Sequence, residues 1–505
     1  MKECHSNSTD RSVPEQIRKR HWRALEELAS SPQFQEMLER EFPRHASEWN
    51  DPFTRRKFLM LMGASFALAG MSGCSPQAPI GEILPYAKQP EQMVPGRALQ
   101  FASAATLGGY ATGILVKSHE GRPTKIEGNP NHPASLGATD AFTQAEILGL
   151  YDPDRSQAIT YRGQPRSWSD AQIEFRKSLD ALRTEQGRGL VILSSTITSP
   201  TLADQLTGQT SRFKHDFPAA RWFQFEPAHS NNGHEGARLA LGEPLDTLYD
   251  FTSADVIISL DADFLGVGPA HLRSARDFST KRRSAAAPGG PAMNRLYVAE
   301  SAPSVTGSAA DHRFPIRAAD VEQFALSLAS ELQLPGLSRA NAKYERLVAA
   351  IAKDLNAHRG ASVVIAGETQ PPIVHAIAHA LNDTLGNVGH TVRYIAPVEV
   401  NPRDQIADLK TLTEDMSAGH VQMLIILGGN PVYDAPADLE FAKQLQHVPQ
   451  RVHLGLYQDE TSALCDWHLP QAHFLEAWGD ARAFDGTVSI QQPLIAPLYN
   501  GVSAI

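Results

Sequence analysis

The chain is expected to fold as an α/β protein built on parallel sheets, and three observations carry that expectation. Short runs rich in Val, Ile and Leu recur along the body of the chain; stretches with helical spacing lie between them; and several of the runs end in Gly, Asn or Ser. Buried strands alternating with helices are the signature of a parallel sheet covered on both faces. The strand candidates are Gly113–Lys117, Leu190–Leu193, Trp222–Phe225, Val256–Leu260, Leu296–Ala299, Val363–Ala366, Met423–Leu427 and His453–Leu456. Ala319–Leu332 and Tyr344–Leu355 carry apolar residues at helical spacing. Ala285–Pro291 reads as a surface loop, and no short internal repeat is visible.

With 505 residues the chain is long enough for two or three domains with sizeable cores. It is 42% hydrophobic and 20% charged, with a net charge of −10. That balance argues against a nucleic-acid partner, which calls for a basic stripe. There are three cysteines, Cys4, Cys74 and Cys465, far apart and with no CxxC pair. A standard iron–sulfur cluster takes about four thiolates, so none is expected within this chain, and a disulfide framework is excluded.

Residues 1–53 form a polar extension in which Trp22, Leu25 and Leu28, then Phe34, Met37 and Leu38, fall on one helical face until Pro43. This reads either as a docking element for a partner or chaperone or as a loosely ordered tail. At 54–74, Thr54-Arg55-Arg56-Lys57-Phe58-Leu59 and a short apolar run to Gly70 make a twin-arginine export signal, placed unusually far into the chain. Arg55, Arg56 and Phe58 are its recognition residues, and the twin-arginine translocase is the partner they imply. The run is shorter than the about 20 residues of a membrane span. Cys74, after Ser72-Gly73, stands where a lipobox places its acylated cysteine, although Met71 occupies the position Leu prefers; the alternative is a signal retained as an anchor. Residues 75–106 are Pro-, Gln- and Gly-rich at first and read as a linker.

The body divides by sequence into 107–155, 156–355 and 356–505. In the last, Gly428-Gly429-Asn430-Pro431 follows a buried-strand pattern, and a Gly-rich turn at the carboxyl end of a parallel strand is where open α/β sheets bind nucleotides; a plain strand-to-helix turn reads the same way. His375 and His379, four apart, share a helix face at metal-ligand spacing, but ordinary buried histidines give the same pattern. His229 and His234 flank a polar turn. Asp261 and Asp263 end an apolar strand, a place for a cation, a ribose or, more simply, a helix cap. Asp459, Glu460, Asp480 and Asp485 are scattered, with no paired-carboxylate site, nucleophile elbow or Walker loop. The chain stops abruptly after Asp485–Ile490 and a Pro-containing stretch, which implies one piece of a larger polypeptide or a separate downstream subunit.

Several of these runs resemble the molybdopterin oxidoreductase family: GRPTKIEGNPNHPAS, LYDPDR, ALNDTLGNVG (380–389) and ILGGNP (426–431), in the family's order over roughly residues 107 to 505. HWRALEELASSPQFQEMLEREFP before a delayed signal, with SLDADFLGVGP, VAESAPSVTGSAADHR and LPQAHFLEAWGDARAFDGTVSIQQPLIAPLY, is similar to the family's twin-arginine branch found in quinol-oxidising complexes of the alternative complex III type. The resemblance implies Rossmann-type layers, incomplete at the C-terminus, and a place on the periplasmic side of the cytoplasmic membrane. It implies as partners multihaem and monohaem cytochromes, a polytopic quinol-binding subunit and an iron–sulfur ferredoxin-like region or subunit. The departures are equally informative. Catalytic members carry a four-cysteine cluster near the Gly-Asn-Pro region, where Leu136–Thr139 hold no sulfur, and a Cys, Ser or selenocysteine on the metal, where only Ser230 offers a hydroxyl. The expectation is therefore a retained scaffold with no cofactor in this chain. The alternatives are an active enzyme with molybdopterin guanine dinucleotide and Mo or W, held by Gly428–Pro431, Asn382, Gly386, Gly389 and Ser230, or a nucleotide- or peptide-binding assembly module.

Overall fold

The structure, a computed structural model, describes residues 94, 96–228, 231–286, 289–290, 292–335 and 342–505. The polar extension, the export signal with Arg55, Arg56 and Phe58, Cys74, nearly all of 75–98, and His229 and Ser230 lie outside the described residues. All described residues fall in the unit Gln89–Ile505.

The described chain opens with an antiparallel sheet, β1 (Leu99–Leu107), β2 (Tyr110–His119) and β3 (Arg122–Gly128), followed by helix α1 (Ala141–Leu150). β1, all but Leu107, lies inside the stretch assigned to the linker. Its sequence, LQFASAATL, has Ala-Ser-Ala-Ala at its centre, which carries little strand propensity; what holds it is an unbroken nine-residue register with β2, from Leu99↔Ser118 to Leu107↔Tyr110. The candidate Gly113–Lys117 is thus the middle of an antiparallel strand rather than a parallel one.

Next come β4 (Thr160–Tyr161), β5 (Gln164–Pro165), α2 (Trp168–Thr184), β6 (Leu190–Ser194), α3 (Pro200–Thr207), α4 (Arg212–Asp216) and β7 (Arg221–Gln224). The chain then builds α5 (Asn231–Leu241), β8 (Asp246–Tyr249), β9 (Val256–Leu260), α6 (His271–Ala285), β10 (Arg295–Glu300), α7 (Val305–Ser308), β11 (His312–Pro315), α8 (Val321–Glu331), α9 (Glu345–Ala357), β12 (Ser362–Ala366), α10 (Pro372–Thr384) and β13 (Val392–Ile395). It closes with α11 (Gln405–Ser417), β14 (Met423–Leu427), α12 (Pro431–Asp434), α13 (Phe441–Leu445), β15 (Gln450–Gly455), α14 (Glu460–Leu464), β16 (Trp467–Pro470), β17 (Gly479–Arg482) and β18 (Val488–Gln491).

Two sheets organise this body. One has seven strands in the order β5-β4-β16-β15-β14-β6-β7, parallel from β16 to β7; the other has four parallel strands in the order β11-β10-β9-β12. The sequence boundary at 355/356 does not separate the two sheets: each takes strands from both sides of it. Side-chain alternation explains the two-sided cores. In β14, Leu424 and Ile426 pack with Leu409, Leu412 and Met416 of α11, while Met423 faces Ala171 and Leu182 of α2. In β9, Val256, Ile258 and Leu260 pack on α8, α9 and α10, and Ile257 turns to Phe251, Phe264 and Phe278.

Candidate functional site

Open parallel sheets bind ligands outside the carboxyl ends of the strands, where the chain's direction of winding reverses. Both sheets have such a point. In the larger sheet the chain runs from β6 outward to β7, then returns on the other side of β6 as β14; in the smaller it runs from β9 through β10 to β11 and returns beside β9 as β12. A cavity lies at each: about 310 Å³ bordered by Ser195, Thr196, Leu427 and Gly428, and about 400 Å³ bordered by Asp261, Ala262, Ala366 and Gly367.

At the first, Gly428 and Gly429 take φ of 68° and 72°, the left-handed region that explains two consecutive glycines. Gly428 lines the cavity; Asn430 does not. Its Oδ1 accepts from Thr461 N at 3.1 Å and Oγ1 at 2.7 Å, and its Nδ2 donates to Glu460 Oε2 at 2.7 Å. Asn430 therefore ties the turn to α14, and Pro431, buried, starts α12. Beneath the turn run two buried histidines whose protons can be placed. The Gly429 carbonyl can only accept, so His453 Nε2 donates to it at 3.3 Å. Neutral His453 then has a bare Nδ1, which accepts from His468 Nδ1 at 3.1 Å, and His468 Nε2 accepts from Ser156 Oγ at 2.6 Å. Burial, then the neighbouring His453, lowers His468 to about 4. A lowered folded value means that the stability is complete above the unfolded value near 6.5 and is lost as pH falls through 4. Thermal melts should therefore show a loss of roughly 2–3 kcal/mol from this residue between pH 6.5 and 4.5, and a His468→Asn chain should show a correspondingly flatter profile.

At the second crevice, Asp261 and Asp263 join loops. Asp261, at φ 58°, accepts from Ser301 N (2.9 Å) and Gln370 Nε2 (2.9 Å), and Asp263 Oδ1 accepts from Thr306 N and Oγ1, both at 2.8 Å, at the start of α7. Neither aspartate caps a helix of its own: α7 is capped by Ser304, whose side chain accepts from Gly307 N, and Asp263 tethers its first turn from the neighbouring loop. His375 and His379 share a face of α10, both buried and both lowered by burial to about 4; His379 Nδ1 meets Tyr394 Oη at 3.1 Å and His375 Nε2 has no partner. Among the described residues no three His, Cys, Asp or Glu side chains are grouped to hold a metal ion.

Asn382, Gly386 and Gly389 are elsewhere. Asn382 is fully buried, its Oδ1 accepting from Val364 N (3.0 Å) and its Nδ2 donating to Val364 O (2.7 Å), and Asn387 accepts from Ser362 N at the amino end of β12. The ALNDTLGNVG run therefore braces the end of the sheet opposite the crevice and does not converge with Gly428–Pro431.

Between the crevices lies an acidic group whose members come from distant segments, so that of them the sequence singled out His234 alone. Tyr110 Oη donates to Glu399 Oε1 at 3.2 Å, Gln405 Nε2 donates to Glu399 Oε2 at 3.3 Å, and His234 Nε2 meets Asp246 Oδ1 at 2.7 Å. Burial raises Glu399 and Glu368, and burial together with Asp434 pushes Glu226 up to about 6. A pterin-guanine dinucleotide carries a pyrophosphate, which is held by Lys, Arg or free backbone N–H groups. Neither cavity has a Lys or Arg among its described lining residues, and the second is lined by Asp246, Asp261, Asp263 and Glu368. Both volumes sit low in the range of about 300–1,000 Å³ for small-molecule sites. The residues present do not fit a pyrophosphate-bearing cofactor.

No family model matches the chain. It is 23% identical over 442 residues to the menaquinone reductase, molybdopterin-binding-like subunit, of Nitratidesulfovibrio vulgaris (strain Hildenborough), a match covering 77% of this chain and 61% of that protein. The fold is molybdopterin-oxidoreductase-like. It matches acetylene hydratase from Pelobacter acetylenicus, with a TM-score of 0.59 at 12% identity, covering 80% of this chain and 67% of that one. The parallel sheets expected from the sequence are thus those of a known fold.

Proposed function

We propose that this chain is a non-catalytic subunit of a membrane-associated, quinone-linked electron-transfer complex, its molybdopterin-type fold serving as a scaffold. The observation that carries the reading is the chemistry of the two crevices: carboxylates line them, with no Lys or Arg among the described lining residues, where a dinucleotide cofactor needs positive charge. The relative, a menaquinone reductase subunit described as molybdopterin-binding-like, supports the quinone link. The remaining cysteine of the described region supports the lack of a cluster. Cys465 is buried, and burial pushes its thiol up to about 12, the reverse of what a thiolate ligand requires. In this reading the chain leaves the cytoplasm by the twin-arginine route and sits on the periplasmic side of the membrane. There it holds an iron–sulfur ferredoxin-like region or subunit against multihaem and monohaem cytochromes and a polytopic quinol-binding subunit, in a complex of the alternative complex III type.

The test is elemental mass spectrometry of the membrane-purified native complex. The scaffold reading expects no molybdenum or tungsten, with iron present only alongside cytochromes and a cysteine-rich partner. Molybdenum or tungsten near one per chain would overturn it in favour of an active cofactor enzyme.

A further inference from the structure

Helix α3 begins at the carboxyl end of β6, at the mouth of the first crevice. The first turn of a helix offers unpaired N–H groups and partial positive charge, which is how α/β folds hold phosphate. Here an anion already occupies that position. Asp480 of β17, 279 residues further along the chain than Thr201, accepts from Thr201 N–H through both oxygens at 3.3 Å and from Thr201 Oγ1 at 2.5 Å. Its Oδ1 also accepts from the Ser199 hydroxyl. The rest of the turn is accounted for: Pro200 has no N–H, Leu202 N donates to Ser199 Oγ at 3.0 Å, and Ala203 N donates to Ser199 O at 3.0 Å. No donor of the turn is left for a ligand. Asp480 is fixed in place because its hairpin is stapled to the same loop: Arg482 N donates to Thr198 Oγ1 at 3.0 Å, and Thr198 Oγ1 donates to Gly109 O at 2.6 Å. Ser199, Gly428 and Asp480 line one cavity.

We infer that Asp480 is an internal occupant of the anion position of this crevice and closes it to phosphate-bearing ligands. The inference rests on the scaffold reading above and adds to it the residue that does the closing. A carboxylate delivered by the fold is present at high effective concentration, so a free anion must displace it and strip two hydroxyl hydrogen bonds and one bifurcated amide bond to enter. Removing the carboxylate while leaving Ser199 and Thr201 restores an open cradle.

The test uses the full chain and inorganic pyrophosphate as the probe, followed by titration calorimetry and thermal melting. Wild type is expected to show no saturable binding. Asp480→Ala is expected to bind pyrophosphate about ten-fold tighter than wild type or better, with a melting temperature raised by roughly 3–5 °C at saturation. Adding Thr201→Val should weaken that binding. Equal binding by wild type and Asp480→Ala would overturn the inference, as would a cooperatively melting Asp480→Ala chain that binds none. Should Asp480→Ala melt without cooperativity in plain buffer, its transition is measured in excess pyrophosphate, and Asp480→Ser is run beside it. Recovery of the transition, or binding by the Ser chain, supports the inference; neither overturns it. Pterin released from denatured wild-type complex would sink the scaffold reading itself, whereas pterin-free wild type with a silent Asp480→Ala sinks only the role of Asp480.

Discussion

Replacing Arg155 with methionine is expected to lower the stability of the folded body by about 3–5 kcal/mol, the cost of leaving one member of a buried ion pair without its partner. The two side chains are 1% and 0% exposed. Arg155 grips Glu476 in a fork, Nη1 to Oε1 at 3.1 Å and Nη2 to Oε2 at 2.6 Å, and Nη1 also donates to Leu150 O at the end of α1. Glu476 in turn accepts from His473 N at 2.8 Å and Leu498 N at 2.9 Å. Burial pushes its carboxyl up, and Arg155 with these two amides outweighs that and holds it below the usual range. The LYDPDR and QAHFLEAWGD runs, more than three hundred residues apart, are thus one joint. Guanidinium midpoints would check this. Glu476→Gln should also be costly, and the double replacement Arg155→Met with Glu476→Leu should recover much of the loss, because a matched apolar pair leaves no buried charge. A single Arg155→Met change costing under about 1 kcal/mol would contradict the account.

The second large effect is expected at Gly367, where β12 meets the crevice. A Cβ there would stand 2.1 Å from the Asp261 carbonyl oxygen and 2.7 Å from its carbon. Both are backbone atoms, so no side chain can swing aside. Gly367 N already donates to Leu260 O at 3.0 Å, which locks the two strand ends together. Gly367→Ala should therefore cost about 3 kcal/mol or more, at the upper end of overpacking effects. The control is Gly149→Ala in α1, where the nearest atoms are 3.9 Å away and the change should be neutral or slightly stabilising. Equal melting temperatures for the two variants would show that the strand ends can part freely.

Period and composition made much of the fold readable. All eight apolar runs match strands, with Phe225 and Leu456 one residue past the ends of β7 and β15, and Ala319–Leu332 and Tyr344–Leu355 match α8 and α9 with their short 3₁₀ entries, Leu332 lying one residue past α8. What stayed hidden was pairing. β1 is too rich in Ala and Ser to announce itself, β8 and β13 form a separate antiparallel pair, and nothing in a single sequence says that β6 lies beside β14. The site shows the same split. The Gly428-Gly429 turn was legible because its backbone demands glycine. Asn382 was misleading because its side chain serves the sheet rather than a ligand. The His453–His468 chain and Glu399 gave no signal, for their partners lie in other segments, and Asp480 looked like one more scattered carboxylate until the fold set it on α3.

The return of β14 to the side of β6 has a consequence for the order of assembly. The four-stranded sheet is contiguous, its last strand complete once Ala366 has been made, and α10, which packs on it, follows directly, so this lobe can assemble as the ribosome delivers it. The larger sheet cannot: one edge of β6 stays bare until Met423–Leu427 emerges, more than two hundred residues later, and that apolar edge is a ready partner for the wrong strand in the meantime. A nascent chain stalled between the two would carry a finished inner lobe inside an unfinished outer one, which makes the outer sheet the slow and vulnerable step of maturation.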